Sequence, residues 1–117
     1  MTTDPECLFC KIVAGDIPST VVLDHGDVFA FRDVNPQAPT HILIVPKGHV
    51  RDVSSLGSND GAILAEIVAA ANELARSEGI AETGYRLVAN VGPDAGQTVF
   101  HLHVHLLGGR AMQWPPG

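Results

Sequence analysis

Apolar positions are spread evenly along the chain, and their changing spacing predicts a series of short elements around one long one. Cys7 to Ala14 reads as a short helix or turn, closed by Gly15 and the Ile17-Pro18 step. Val21 to Leu23 is β-branched and reads as a short strand. His25-Gly26-Asp27 then reads as a hairpin turn, with Val28 to Arg32 returning as a second strand. Asp33 to Pro39 carries two prolines and an asparagine, so it is expected to be a loop. His41 to Val45 is an apolar run stopped by Pro46, expected as a strand buried on both faces.

Ser58 to Gly79 carries the clearest helical pattern. Ile63, Ile67, Ala70 and Leu74 recur at helical spacing, Ser58 or Asn59 can cap the start, and Gly79 stops the end with Ile80 placed for a hydrophobic contact beyond it. Tyr85 to Asn90 and Val99 to Leu107 read as strands, with a turn over Gly92-Pro-Asp-Ala-Gly96 between them. Short connections favour antiparallel pairing. The expectation is an α+β domain: an antiparallel sheet of about five strands, one long helix and a short N-terminal helix. No repeat or linker divides residues 1–117. Residues 1–5 are expected to be a loose terminus and 108–117 an irregular tail ending in Trp-Pro-Pro-Gly, whose Trp114 suggests a contact surface.

Composition narrows the partners. Seven basic against thirteen acidic side chains leave a net charge of −6, which argues against a nucleic-acid binder. An anionic ligand would have to be drawn by a local site rather than by the field of the whole protein. No stretch approaches the roughly 20 apolar residues of a membrane span, and MTTDPEC resembles no targeting peptide, so a cytoplasmic location away from membranes is expected.

Three of the six histidines stand at 101, 103 and 105. On a strand, alternate residues share a face, so the three imidazoles would line one side at intervals of about 6.6 Å. Phe100, Leu102, Val104 and Leu106 would form the opposite, core-facing side against the long helix. A lone histidine is ordinarily a surface or satisfied core residue. Strand stability asks for no such alternation, so a functional cluster is the better reading. Spacing leaves two chemistries open: a metal with an open coordination position, or nucleophilic and acid–base catalysis near neutral pH.

The run His101-Leu-His-Val-His-Leu-Leu resembles the signature of the histidine-triad family. Phe31-Arg-Asp-Val-Asn-Pro-Gln-Ala-Pro-Thr-His41, Ile44-Val-Pro-Lys-Gly-His49, Gly96-Gln-Thr-Val-Phe-His101 and Leu107 through Trp114-Pro-Pro-Gly117 resemble its Hint branch. The resemblance implies a homodimer whose two sheets join, and hydrolysis of a purine (AMP-type) nucleotide through a nucleotidyl-histidine intermediate, with no organic cofactor. His103 would be the nucleophile, with His105 contacting phosphate or assisting proton transfer and His41 in support. Asp33 would accept from the ribose hydroxyls, although an Asp before Asn-Pro also suits a plain turn. Leu8, Phe9, Ile12, Phe31 and Val34 match the apolar residues around the base, and each taken alone reads as core. Asn90, Gly96, Gln97 and Thr98 would sit near the phosphate, where backbone N–H groups and hydroxyls can bind an anion. Gly92 and Gly96 by themselves fit an ordinary turn. Trp114 would reach the partner subunit's site.

Cys7-Leu-Phe-Cys10 is the one departure from many Hint proteins. Away from oxidising compartments, a metal or redox role outranks a disulfide. Several histidine-triad proteins with this pair hold zinc with two histidines, and the resemblance implies that these are His49 and His101 here. Such a closed site is structural. The alternative is a reduced pair without metal. The leading expectation is a nucleoside phosphoramidase. The same chemistry also suits dinucleoside polyphosphates or adenylyl sulfate-type nucleotides. A regulatory nucleotide-binding protein with slow catalysis is a further reading. A purely structural zinc protein would leave His103 and His105 unexplained.

Overall fold

A computed structural model describes residues 2–117. Five strands form one antiparallel sheet in the order β1-β2-β3-β5-β4: β1 Val21–His25, β2 Val28–Arg32, β3 Thr40–Pro46, β4 Tyr85–Val88 and β5 Val104–Gly108. His25 pairs with Val28, so β1 and β2 are joined by a two-residue turn. Gly26 there takes φ 56°, which favours glycine. β3 is the central strand and every residue in it is buried, as its continuous apolar run predicts.

The long helix α2 (Gly61–Ser77) covers one face of the sheet. Ile67, Ala71 and Leu74 pack there with Ile42 and Ile44 of β3 and Val104 and Leu106 of β5. A turn of 3₁₀ helix over Ser58–Asp60 precedes it, and Asp60 rather than Ser58 or Asn59 is its N-terminal flank. The Asp60 carboxylate is occupied accepting from Gly57 N–H at 2.7 Å. At the other end Gly79 donates to Arg76 O and Ile80 to Ala75 O, the paired bonds of a Schellman stop. Ile80 is buried in the core, as expected.

The short helix α1 (Leu8–Ala14) lies on the opposite face. Phe9, Cys10 and Ile12 meet Phe29, Phe31, Leu43 and Val45 there. Cys7 caps α1, its sulfur accepting from Cys10 N–H, and Gly15 at φ 84° ends it. Because β-strand residues alternate, His41 and Leu43 of β3 and His105 of β5 emerge on the α1 face, away from α2.

Five expectations need correction. β4 stops at Val88, so Asn90 follows the strand rather than ending it. β5 starts at Val104, so residues 99–103 are not strand and the imidazoles are not a regular ladder. His101 is completely buried instead of lying on a non-core face, and Phe100 is 46% exposed beneath the Arg51 guanidinium instead of packing on α2. Leu102 turns its N–H to Val50 O, which pulls this segment off the sheet's ladder. Residues 2–5, expected to be loose, are tied down: His49 N–H donates to Thr2 O at 2.8 Å and Cys7 N–H to Asp4 O at 3.0 Å. Met1 lies outside the described residues. Among those residues, no helix is long and apolar enough to cross a membrane.

Candidate active site and metal centre

Between α1, the end of β2 and the segment before β5 lies a cleft of about 390 Å³. Its walls include Leu8, Phe9 and Ile12 of α1, Phe31, Asp33, Val34, Thr98, His103 and His105. The five residues expected around the base thus line the same cleft as Asp33, Thr98, His103 and His105. Val34 is almost fully exposed at 99%, an apolar side chain at the mouth with little to cover it.

The hydrogen bonds assign each imidazole its tautomer. His103 Nδ1 lies 2.7 Å from His101 O; a carbonyl only accepts, so Nδ1 carries a proton and Nε2 is the nitrogen left outside this bond. Gln37 N–H donates to His41 Nδ1 at 3.0 Å, so that nitrogen is bare and His41 Nε2 carries the proton. His41 Nε2 donates in turn to His105 Nδ1 at 2.9 Å, leaving the neutral His105 a proton on Nε2. Burial lowers the His41 pKa, with Asp33 at 3.4 Å pulling the other way. Burial also drives His105 down to about 4, helped by the neighbouring His103 and His41 and opposed by Asp33. The site therefore offers His103, tethered through Nδ1, beside a neutral N–H donor, His105, their centroids 5.1 Å apart.

Five expected residues stand outside the wall of this cleft within the chain. Gln97 is buried, and its side chain is spent as a brace, accepting from Gly92 N–H and donating to Arg51 O and Val99 O. The backbone N–H groups of Gly96 and Gln97, expected to be free for phosphate, are bonded to Pro93 O and Gly92 O. Asn90 and the 83% exposed Trp114 do not line the cleft. His41 sits behind Asp33 and His105, not in the wall. The cleft also takes in Ile17, Pro18, Ser19, Arg32, Leu43 and Val99, which the sequence reading missed. Leu43 was findable, since it shares a β3 face with His41. Ile17-Pro18-Ser19 carries no signal beyond ending a helix.

The second cluster joins Cys7, Cys10, His49 and His101, whose donor atoms all lie within 4.8 Å of one another. His101 Nδ1 is 3.3 Å from Cys7 Sγ and 3.5 Å from Cys10 Sγ, and His49 Nδ1 is 3.5 Å from Cys10 Sγ. Tetrahedral zinc with ordinary bond lengths would separate sulfur from nitrogen by about 3.6 Å, so the set fits such an ion. His101 Nε2 donates to Pro46 O at 2.8 Å, which leaves Nδ1 unprotonated toward the sulfurs. That outward bond to a carbonyl is what a metal-binding imidazole needs. Burial also lowers the His101 pKa and favours the neutral ring.

Residues 14–112 match the family model described as the HIT domain. The chain belongs to the HIT family. It is 50% identical to the "14 kDa zinc-binding protein" of Zea mays over 97% of this chain and 90% of that one. It is 47% identical to "Adenylylsulfatase HINT1" of Arabidopsis thaliana, covering 98% of this chain and 79% of the relative. The crystal structure of a HIT family hydrolase from Legionella pneumophila Philadelphia 1 superposes with a TM-score of 0.93, at 54% identity over 96% of this chain and all of the other. The α+β fold expected from the element order and short connections is therefore the HIT fold.

Proposed function

We propose that this HIT protein hydrolyses purine nucleoside phosphoramidates through a nucleotidyl-histidine intermediate on His103. The observation that carries this reading is the His103 Nδ1–H bond to the His101 carbonyl, on a ring that lines the cleft. A neutral imidazole with one nitrogen tethered can attack with the other. In the first step His103 Nε2 bonds to the α-phosphorus as the P–N bond breaks, and the departing amine takes its proton from water. In the second step water attacks the same phosphorus, the phosphorus–histidine bond breaks, and nucleoside monophosphate leaves with His103 neutral again.

Each neighbour has a role in this reading. The Nε2–H of His105 donates to a phosphate oxygen, and Thr98 adds its hydroxyl. His41 holds the His105 tautomer from behind. The Asp33 carboxylate accepts from the ribose hydroxyls, and Leu8, Phe9, Ile12, Phe31 and Val34 enclose the base. Asn90, Gly96 and Gln97 shape the phosphate end from behind the wall rather than by direct contact. Zinc on Cys7, Cys10, His49 and His101 would be closed and structural, serving as a cross-link and leaving His103 and His105 to the chemistry. A homodimer suits the exposed Leu64 and Val68 on α2 and the exposed Leu87 of the edge strand β4, and would bring the tail with Trp114 to the partner's cleft.

The name of the Arabidopsis relative favours a second substrate for the same machinery, adenylyl sulfate. Rapid quenching with adenosine phosphoramidate, adenylyl sulfate and a dinucleoside polyphosphate, followed by peptide mapping, tests both. The phosphoramidate is expected to load His103 fastest. Loading elsewhere, or none with any donor, would sink the proposal.

A further inference from the structure

We infer that His101 is a positioning residue that couples the metal cluster to the nucleophile. The inference rests on the proposed reaction at His103 and on zinc at the cysteine–histidine cluster. One residue faces both. The His101 ring stands 3.3 and 3.5 Å from the two sulfurs, while its carbonyl accepts from His103 Nδ1 at 2.7 Å.

The backbone explains why this matters. β5 starts only at Val104, so His101 and His103 lack the sheet ladder that holds His105. The peptide is attached by Leu102 N–H to Val50 O and by His101 Nε2–H to Pro46 O. The metal-type ligands flank the first of these bonds, His49 beside Val50 and His101 beside Leu102. A zinc ion would bridge the same two segments and clamp them to α1. Phe9 lies between Cys7 and Cys10 on α1, and its ring meets His103 edge-on at 5.1 Å and 90°. Two of the contacts on the His103 ring, the His101 carbonyl and the Phe9 edge, thus come from residues that are, or are bracketed by, ligands of the cluster, while the third, the His105 ring at 5.1 Å, does not. The His41–His105 pair is held independently, by Gln37 N–H and by the β3–β5 ladder.

The test compares wild-type protein with one equivalent of zinc and after chelation, at one fixed pH. It records the imidazole nitrogen NMR spectrum, far-ultraviolet circular dichroism and the rate of His103 nucleotidylation. With zinc, His103 is expected to show a single Nδ1–H tautomer. Without it, the sheet signal persists and the His41 and His105 resonances stay. The His103 signals then average between tautomers, and nucleotidylation slows by about 10- to 100-fold, the range for loss of a supporting shell. Adding zinc back restores both. An unchanged His103 spectrum in folded, zinc-free protein overturns the coupling. So does failure to take up zinc. Unfolding of the whole domain on chelation also overturns it, because the ion would then hold the fold and not the nucleophile. If zinc-loaded protein forms no intermediate with any nucleotide donor, the reaction is wrong, and the spectrum still decides the coupling.

Discussion

Among the described residues two clusters of metal-capable side chains occur, and their second ring nitrogens set them apart. Cys7, Cys10, His49 and His101 form one, and Asp33, His41 and His105 the other. In the first, His101 gives its far N–H to the Pro46 carbonyl and turns a bare nitrogen inward. In the second, His41 receives the Gln37 N–H on its far nitrogen and turns a proton inward. A metal at His41 Nε2 would require either an imidazolate or a broken backbone bond. Both clusters contain good ligands, yet the backbone partner leaves one suited to a metal and makes the other a hydrogen-bond donor relay.

The comparison is sharpened most by removing the proposed nucleophile. His103→Ala is expected to lower turnover by about 10⁴-fold or more, as deletion of a covalent nucleophile does elsewhere, while zinc content stays at wild type. Steady-state kinetics with metal analysis on the same preparation checks both, and a parallel loss of zinc would merge the two regions. Cys10→Ser should act in the opposite sense, emptying the first cluster and lowering the melting temperature while the His41–His105 hydrogen bond persists. Calorimetry with metal analysis measures this, and a stability equal to wild type would deny the cluster its structural role.

A zinc titration draws the line more finely. One tight equivalent per chain is expected, removed by the Cys10→Ser change. A second tight equivalent abolished by Asp33→Asn would mean that the Gln37 amide does not exclude metal. The pH response is smaller. His105 is held near 4 in the folded protein against about 6.5 when unfolded. The unfolded chain therefore binds the extra proton first on acidification. The stability this neutral ring supports is complete above about pH 6.5 and is lost as pH falls toward 4. Urea unfolding of His105→Asn should have a flatter pH dependence across that window, and an unchanged slope would show that His105 is not kept neutral. Removing residues 114–117 should have the least effect, shifting the ranking of nucleotide donors but leaving zinc binding alone. Unchanged kinetics would confine the tail to packing.

Much of the fold was legible because period and punctuation agree. β2 and the buried β3 emerged from apolar runs ended by polar or proline residues, and the Gly79-Ile80 stop of α2 from its sequence alone. Five alternating residues were over-read at the start of β5. Alternation records which side chains share a face only if the backbone is extended, and the Leu102 bond to Val50 O breaks that condition before Val104. The site was legible to the same depth. His103, His105, Asp33 and the α1 residues meet at the cleft, whereas the use of Gln97 as a brace depends on loop carbonyls at Arg51 and Val99 that no spacing reveals.

The sequence by itself determined the element order, the three histidines, the cysteine pair and, through their motifs, the HIT family. Those are properties of residue type and local period. Tertiary structure decided which ring nitrogen donates in His41, His101 and His103, and the division of the run into a buried ligand-type His101 and the cleft histidines. These depend on a carbonyl or an amide brought in from Pro46 or Gln37, and only the folded backbone delivers such partners.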